Sequence, residues 1–367
     1  MSERIVVKIG SSSLTSEEGG LNRARVGYFA GELASLHRTG RQVVLVTSGA
    51  VAAGFRMIGY PARPKQLHEK QAAAAVGQAL LMQAYQEAFG ESGIVAAQIL
   101  LTRHDFSNRQ RIHNALMALE ELLRRNVIPI INENDTVTVE GLKFGDNDNL
   151  SALVANLVKA KKLIILTDTD GLYTDDPRRN PEAKRIDRVT EINERIMAIA
   201  GGAGSSVGTG GMRSKIEAAR VAMRGGVQAF VGMASEPGDL LAAVEGRGRG
   251  TYFDSDYHNL SVKKQWIGFH STPNGRITVD EGAVRALVSD GRSLLPAGII
   301  GAEGEFHPGD VVEVVGPDGV PVGRGVVNYA SWQVQAAAGL STDEVRKRVD
   351  VVRIEVIHRD EWISFPR

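Results

Sequence analysis

Up to about residue 250, short apolar runs alternate with longer stretches in which apolar positions recur every three or four residues. The runs Ile5–Ile9, Val43–Thr47, Val95–Leu101, Val127–Ile131, Leu163–Thr167 and Ala229–Met233 are short, mostly apolar and bounded in most cases by Gly, Asn or Asp, which marks them as buried strands. Between them, Asn22–His37, Gln66–Phe89, Arg109–Arg125, Asn149–Lys159 and Met212–Arg224 mix Ala, Leu, Glu, Gln and Arg at helical spacing. This alternation predicts an α/β fold, a mostly parallel open sheet with helices on both faces, whose ligands gather at the carboxyl ends of the strands.

The rhythm then changes. Gly246-Arg-Gly-Arg-Gly250 followed by Asp254–Asn259 is glycine-rich and polar, and reads as the start of a linker. Beyond Gly275, short strands such as Val311–Val315 and Val322–Val326 are separated by turn signals such as Gly316-Pro-Asp-Gly319, with one helical stretch at Trp332–Lys347. The expected division is therefore a large α/β domain over 1–255, a linker over 256–272, and a small, mostly β domain with the tail over 273–367.

Composition fits a chain of 367 residues that buries a sizeable core: 43% is hydrophobic and 23% charged. With no cysteine, disulfides, thiolate nucleophiles and zinc-thiolate sites are excluded, and a reducing cytoplasm is the expected setting. The polar start Met-Ser-Glu-Arg and the short run after it do not resemble a signal peptide, and no run of ~18 apolar residues predicts a membrane span. Charge balances overall, but residues 273–367 hold 10 basic against 14 acidic side chains. That acidic balance argues against a non-specific grip on RNA by the tail.

Chemistry-bearing residues cluster where the predicted strands end. Lys8-Ile-Gly-Ser-Ser-Ser13 puts a cation and hydroxyl donors at the end of the first strand, although a lysine snorkelling from an edge strand has the same pattern. Thr47-Ser-Gly-Ala-Val51 makes a similar turn after the second, either a ligand-approaching backbone or an ordinary strand-to-helix turn. Asn132-Glu-Asn-Asp135 and Gly145-Asp-Asn-Asp-Asn149 are the densest groups of carboxylates and amides, suited to an amino acid's amino group, to water-bridged magnesium, or to surface Asx-turns. Thr167-Asp-Thr-Asp-Gly-Leu-Tyr173 ends a strand with two carboxylates. Gly208-Thr-Gly-Gly-Met-Arg-Ser-Lys215 opens a helix with a glycine-rich turn and a lysine, which suits a phosphate or merely caps the helix. No complete Walker A or G-x-G-x-x-G pattern is present.

Taken together and in this order, the motifs resemble the amino-acid kinase family, and within it Phe144-Gly-Asp-Asn-Asp-Asn-Leu150, Gly171-Leu-Tyr-Thr and Gly208-Thr-Gly-Gly-Met look like its glutamate 5-kinase branch. Residues 273–352 or so, with Gly275-Arg-Ile-Thr-Val-Asp-Glu-Gly-Ala283 and Ser293-Leu-Leu-Pro-Ala-Gly298, look like a PUA domain. The resemblance implies ATP-dependent phosphorylation of the L-glutamate side-chain carboxylate, at the entry to proline synthesis, with ATP and Mg²⁺. It implies that Lys8 and Lys215 flank the transferred phosphoryl group, that Asp148 organises them, and that Ser48, Asp135 and Asn147 hold glutamate with Asn132 close by. Lys8, Thr167, Asp168, Thr209, Gly210, Gly211, Met212, Arg213, Ser214 and Lys215 would contact ATP, and no residue is implied as a direct metal ligand. It further implies a homo-oligomer, proline as a feedback inhibitor at or near the glutamate site, and handoff of the product to glutamate-5-semialdehyde dehydrogenase. Two alternatives stay open at this point: another carboxylate or phosphate kinase of the same fold, and an RNA-binding regulatory protein with a vestigial kinase domain.

Overall fold

The computed structural model describes residues 2–16, 19–138, 147–177, 180–201, 211–254, 267–268, 271 and 273–365. The chain divides into two compact units, Met1–Asn259 and Leu260–Arg367. Thr209, Gly210 and most of the expected linker 256–272 lie outside the described residues.

Unit 1 runs β1 (Arg4–Ile9), α1 (Ser11–Leu14), α2 (Arg23–Arg38), β2 (Gln42–Val46), α3 (Ala50–Gly54), α4 (Leu67–Gly90), β3 (Ala96–Leu101), α5 (Arg103–Ser107), α6 (Arg109–Arg124), β4 (Ile128–Glu133), α7 (Asn147–Leu157) and β5 (Lys162–Leu166). The short strands β6 (Leu172–Tyr173), β7 (Arg185–Ile186) and β8 (Arg188–Val189) follow, then α8 (Glu194–Gly201), α9 (Met212–Arg224), β9 (Gln228–Gly232), α10 (Asp239–Val244) and β10 (Gly250–Phe253). Among the described residues these strands build an eight-stranded sheet in the order β3-β4-β2-β1-β5-β9-β10-β8. From β3 to β9 every pairing is parallel. All six predicted strands and all five predicted helices are present, and most of their apolar residues become core: Ile5, Val6, Val7, Val44, Leu45, Ile130 and Leu163 have no exposed surface. The run Val95–Leu101, expected as a buried strand, differs: β3 lies at the sheet edge, and Val95 just before it is 64% exposed.

One stretch departs from expectation. Gly250 does not begin a linker but opens β10, which pairs antiparallel with β9. The glycines there serve packing: a Cβ on Gly250 or Gly232 would run into the Phe230 ring, which fills the space beside these strands. Two further glycines bring helices together. A Cβ on Gly77 of α4 would strike the Ala50 carbonyl oxygen of α3, and one on Gly54 of α3 would strike the Ala73 carbonyl oxygen of α4. The two helices therefore lie backbone against backbone.

Unit 2 holds, among its described residues, a five-stranded sheet of β11 (Gly275–Val279), β12 (Ile299–Gly304), β13 (Val311–Val315), β14 (Pro321–Val327) and β15 (Ile357–Ser364), in the order β12-β11-β13-β14-β15. β11 and β13 pair parallel and the other neighbours antiparallel. The single helical stretch expected at Trp332–Lys347 is two helices, Ser331–Ala337 and Thr342–Arg348. Gly339, at φ 73°, turns the chain between them in the left-handed region that ends helices. Ile267 packs with Val311, Val326 and Ile363, and Arg324 Nη1 donates to the carbonyls of Gly268 and Ser271, each at 3.3 Å. Among the described residues no helix is long and apolar enough to cross a membrane.

Candidate active site

Parallel strands present their carboxyl ends along one edge, and the order β4-β2-β1-β5-β9 sets which loops are neighbours there. β1 is central, with Lys8 in register with Val46 of β2 on one side and Ile165 of β5 on the other. Residues after β2 and β4 therefore lie to one side of Lys8. Those after β5 and β9 lie to the other.

At the centre, Lys8 forms an ion pair with Asp148 at the start of α7, and Lys215 Nζ in the first turn of α9 reaches Asp148 Oδ2 at 3.1 Å. All three are buried: their side chains are 4%, 0% and 9% exposed, in the order Lys8, Asp148, Lys215. Ser214, expected beside ATP, has its hydroxyl 2.9 Å from Asp148 Oδ2 and 2.8 Å from the Gly211 carbonyl, two acceptors that share its one proton. Burial by itself pushes the Asp148 carboxyl up. The charges of Lys8 and Lys215 and their hydrogen bonds outweigh it and hold the group below its ordinary value, so it stays ionised. Two cations on one carboxylate leave an excess of positive charge within the triad, which suits a site for transferring phosphoryl groups. At the far end of the same helix pair, Asn156 Nδ2 donates to the Val221 carbonyl at 3.0 Å, and Gly225 has no Cβ to obstruct the Asn156 amide. This contact fixes α9 on α7, and with it Lys215 on Asp148.

On the β2/β4 side lies a chain of amides. Thr47 N donates to the Ile131 carbonyl at 2.9 Å, which sets the turn after β2 beside Asn132. Asn147 Nδ2 donates to the Thr47 carbonyl and, at 2.6 Å, to Asn132 Oδ1. Asn132 Oδ1 also accepts from Glu133 N at 2.9 Å, so its Nδ2 must face the other way, toward Gln78 Oε1 at 2.8 Å. Asp135 is half-buried within the tight turn closed by Val137 N on the Asn134 carbonyl, and Ser48 is half-buried before Gly49, whose φ of 105° only glycine adopts without strain. Asn132 at the end of β4, Ser48 and Asp135 in the turns after β2 and β4, and Asn147 at the start of α7 thus lie to one side of the triad.

On the β5/β9 side a cavity of about 320 Å³ is lined by Asp168, Tyr173, Ile199, Met212 and Met233 among others. Thr167 Oγ1 donates to Asp168 Oδ1 at 3.0 Å at its edge. Gly211 caps α9 and Met212 faces the cavity, whereas Arg213 turns away to pair with Glu217 at 3.3 Å. Its lining mixes the apolar Leu172, Ile199, Met212 and Met233 with the carboxylates Asp168, Asp170, Asp175 and Asp176, and apolar walls with a few polar groups are usual in a small-molecule pocket. Tyr173 belongs to the strand-end motif singled out in the sequence, whereas Ile199 and Met233 here, and Gln71, Gln78 and Tyr85 on the other side, carried no functional expectation. Among the described residues no three His, Cys, Asp or Glu side chains converge as ligands of a metal would. The donor set suits magnesium carried by nucleotide oxygens and water.

The family model described as the amino acid kinase family matches residues 3–232, and that of the PUA domain matches residues 275–349. The chain is 49% identical over 363 residues to glutamate 5-kinase 1 of Bacillus subtilis (strain 168), spanning 99% of this chain and 98% of that protein. It is likewise 49% identical to the glutamate 5-kinase of Geobacillus kaustophilus (strain HTA426), over 99% of this chain and 97% of that one. Among solved structures, carbamate kinase from Giardia lamblia bound to AMP-PNP shares the fold, with a TM-score of 0.51 at 17% identity over 70% of this chain and 99% of that one. A catalytic unit matched over most of its length and near-half identity along the whole chain place this protein in the amino acid kinase family, with a PUA domain after the kinase unit.

Proposed function

We propose that the chain transfers the γ-phosphoryl group of ATP to the side-chain carboxylate of L-glutamate, giving glutamyl 5-phosphate for proline synthesis. The observation that carries this reading is the order along the sheet edge: amide-rich loops after β2 and β4, the Lys8–Asp148–Lys215 triad at β1, then the cavity after β5 and β9. Near-half identity to named glutamate 5-kinases supports the choice of acceptor.

The chemistry needs no general base. A glutamate side chain, which in water titrates near pH ~4.3, is ionised at neutral pH and attacks the γ-phosphorus directly, while the bond to the β–γ bridging oxygen breaks and ADP leaves. What the protein supplies is alignment of two anions and neutralisation of the charge that spreads over the transferring oxygens. Lys8 and Lys215 would flank the phosphoryl group, with Asp148 and Ser214 fixing their direction. Ser48, Asp135, Asn147 and Asn132 would hold the amino acid. Thr167, Asp168 and residues 209–215 would hold the nucleotide, and magnesium bound with it would screen its phosphate charge. The acyl phosphate product hydrolyses readily, which favours handoff to glutamate-5-semialdehyde dehydrogenase, and proline, a cyclic relative of glutamate, would inhibit at or near the acceptor side. The lack of cysteine supports a reducing cytoplasmic setting.

Hydroxylamine trapping of the acyl phosphate tests the reading, with ATP, Mg²⁺ and separate reactions containing glutamate, aspartate, N-acetylglutamate and carbamate. Hydroxamate formed with glutamate well above the others is the expected result. Equal or greater yield with another acceptor would overturn the assignment.

A further inference from the structure

Helix α4 carries polar side chains at Gln71, Gln78 and Tyr85, a spacing of seven that puts all three on one face. Each touches a different part of the acceptor side. Gln71 Nε2 donates to the Thr138 carbonyl at 3.1 Å, Gln78 Oε1 accepts from Asn132 Nδ2 at 2.8 Å, and the Tyr85 hydroxyl meets Thr47 Oγ1 at 3.2 Å. Thr138 closes the loop that bears Asp135, Asn132 begins it, and Thr47 leads into Ser48. Thr138, Asn132 and Thr47 are 3%, 2% and 0% exposed, so water offers these groups little in place of the helix.

Resting on the glutamate reading above, we propose that α4 is the template of the acceptor side, with Gln71, Gln78 and Tyr85 as positioning residues that set affinity for the amino acid without touching the nucleotide. Gln78 is the pivotal contact. Asn132 Oδ1 is engaged by Asn147 and Glu133 N, and Gln78 fixes that amide orientation by accepting from the Nδ2. Gln78 Nε2 is in turn held by exposed Gln98 at 2.8 Å. The backbone contact at Gly77 locks the neighbouring turn of α4 onto α3, so the template cannot slide.

The test uses the full chain and the near-isosteric variants Gln78→Met, Gln71→Met and Tyr85→Phe, with Gln78→Glu as the conservative control. Gln78→Glu keeps an oxygen for Asn132, and exposed Gln98 can turn its amide to meet the second one. Steady-state KM for glutamate and for ATP, kcat and thermal melts are measured together. Loss of the partner of a buried amide is expected to raise glutamate KM about tenfold in Gln78→Met and severalfold in the other two, with ATP KM within twofold. Gln78→Glu should lie closer to the wild type. A merely structural role would lower the melting point and the active fraction, hence apparent kcat, while leaving glutamate KM in place. Glutamate KM unchanged in Gln78→Met, or ATP KM rising in step with it, would overturn the proposal. Should Gln78→Met not fold, the same split in Gln71→Met and Tyr85→Phe decides. A wild type that does not phosphorylate glutamate at all would count against the acceptor assignment itself, a separate outcome.

Discussion

Replacing Asp148 by Asn keeps the shape of the side chain and removes its charge. In the wild type that carboxylate is fully buried between Lys8 and Lys215, whose side chains are only 4% and 9% exposed, and it accepts from Ser214 at 2.9 Å. The amide of the variant leaves two nearly dry cations facing each other without their shared anion. Removing one partner from a buried ion pair costs ~3–5 kcal/mol, a large part of the ~5–15 kcal/mol that holds a typical domain together. Urea unfolding of Asp148→Asn at pH 7 should show a loss in that range, and kcat should fall at least ~10²-fold because the lysines lose their alignment. Saturating non-hydrolysable ATP analogue should stabilise the variant more than the wild type, since its phosphates replace the missing negative charge. The pH dependence follows from the lowered Asp148 pKa: its contribution is complete above the unfolded value of ~3.9 and is lost as pH falls through the lower folded value. The stability gap between wild type and variant should therefore hold from pH 8 to 5 and narrow below about pH 4. A variant within ~1 kcal/mol of the wild type at pH 7 would refute the reasoning, because the lysines would then be finding water or other partners.

Other outcomes follow from the same geometry. Lys215→Ala should lower kcat ~10²-fold or more with little change in glutamate KM, a split that initial-rate kinetics resolve. Ser48→Ala, Asp135→Ala and Asn147→Ala should raise glutamate KM roughly tenfold to over a hundredfold and move ATP KM much less; an effect of Asp135→Ala on ATP alone would reverse the two sides of the site. Gly77→Ala forces a methyl group into the Ala50 carbonyl and should destabilise the protein by ~1–3 kcal/mol, seen as a lower urea midpoint. A chain ending at Asn259, the last residue of unit 1, should remain soluble and phosphorylate glutamate with kcat within roughly tenfold of the full chain, since Lys8 through Lys215 lie within it. A folded but inactive truncation would show that unit 2 contributes to catalysis.

The elements of the kinase unit were legible because most predicted strands are short apolar runs that end up without solvent, as at Val43–Val46 and Leu163–Leu166, whereas the similar run Val95–Leu101 is a partly exposed edge strand. What misled was glycine. In Gly246–Gly250 it signals a flexible linker by composition, yet here it makes room for the Phe230 ring and lets β10 complete the sheet. The individual site motifs were visible as polar residues at strand ends, but their meeting was implied only by the family resemblance and not by the residue pattern itself. Lys8, Asp148 and Lys215 come from three distant segments, and only the strand order brings them to one carboxylate. Gln71 and Gln78 were hidden for another reason. On an alanine-rich helix, glutamine reads as a solvated helix former, and the seven-residue spacing acquires meaning only once the helix is seen to face Asn132 and Thr138.

The strand order also bears on how acceptor choice can vary while the transfer chemistry stays fixed. Lys8 sits on the one strand bordered by both sides of the site, so a phosphoryl group held there is within reach of ligands from each. The residues proposed for the acceptor come from the turn after β2, from β4 and the turn after it, and from Asn147 at the start of α7 beside Asp148, with supporting contacts from α4. The cavity proposed for the nucleotide is lined by residues between Asp168 and Pro177 after β5, by Ile199 of α8, by Met212 at the start of α9 and by Met233 just after β9. Changes to the α4 contacts or to the Asn132–Thr138 loop can therefore reshape what is phosphorylated without disturbing Lys8, Asp148 or Lys215. On the proposed assignment most acceptor contacts come from segments that carry no triad residue, Asn147 beside Asp148 being the exception, and likeness of fold alone therefore does not name the acceptor.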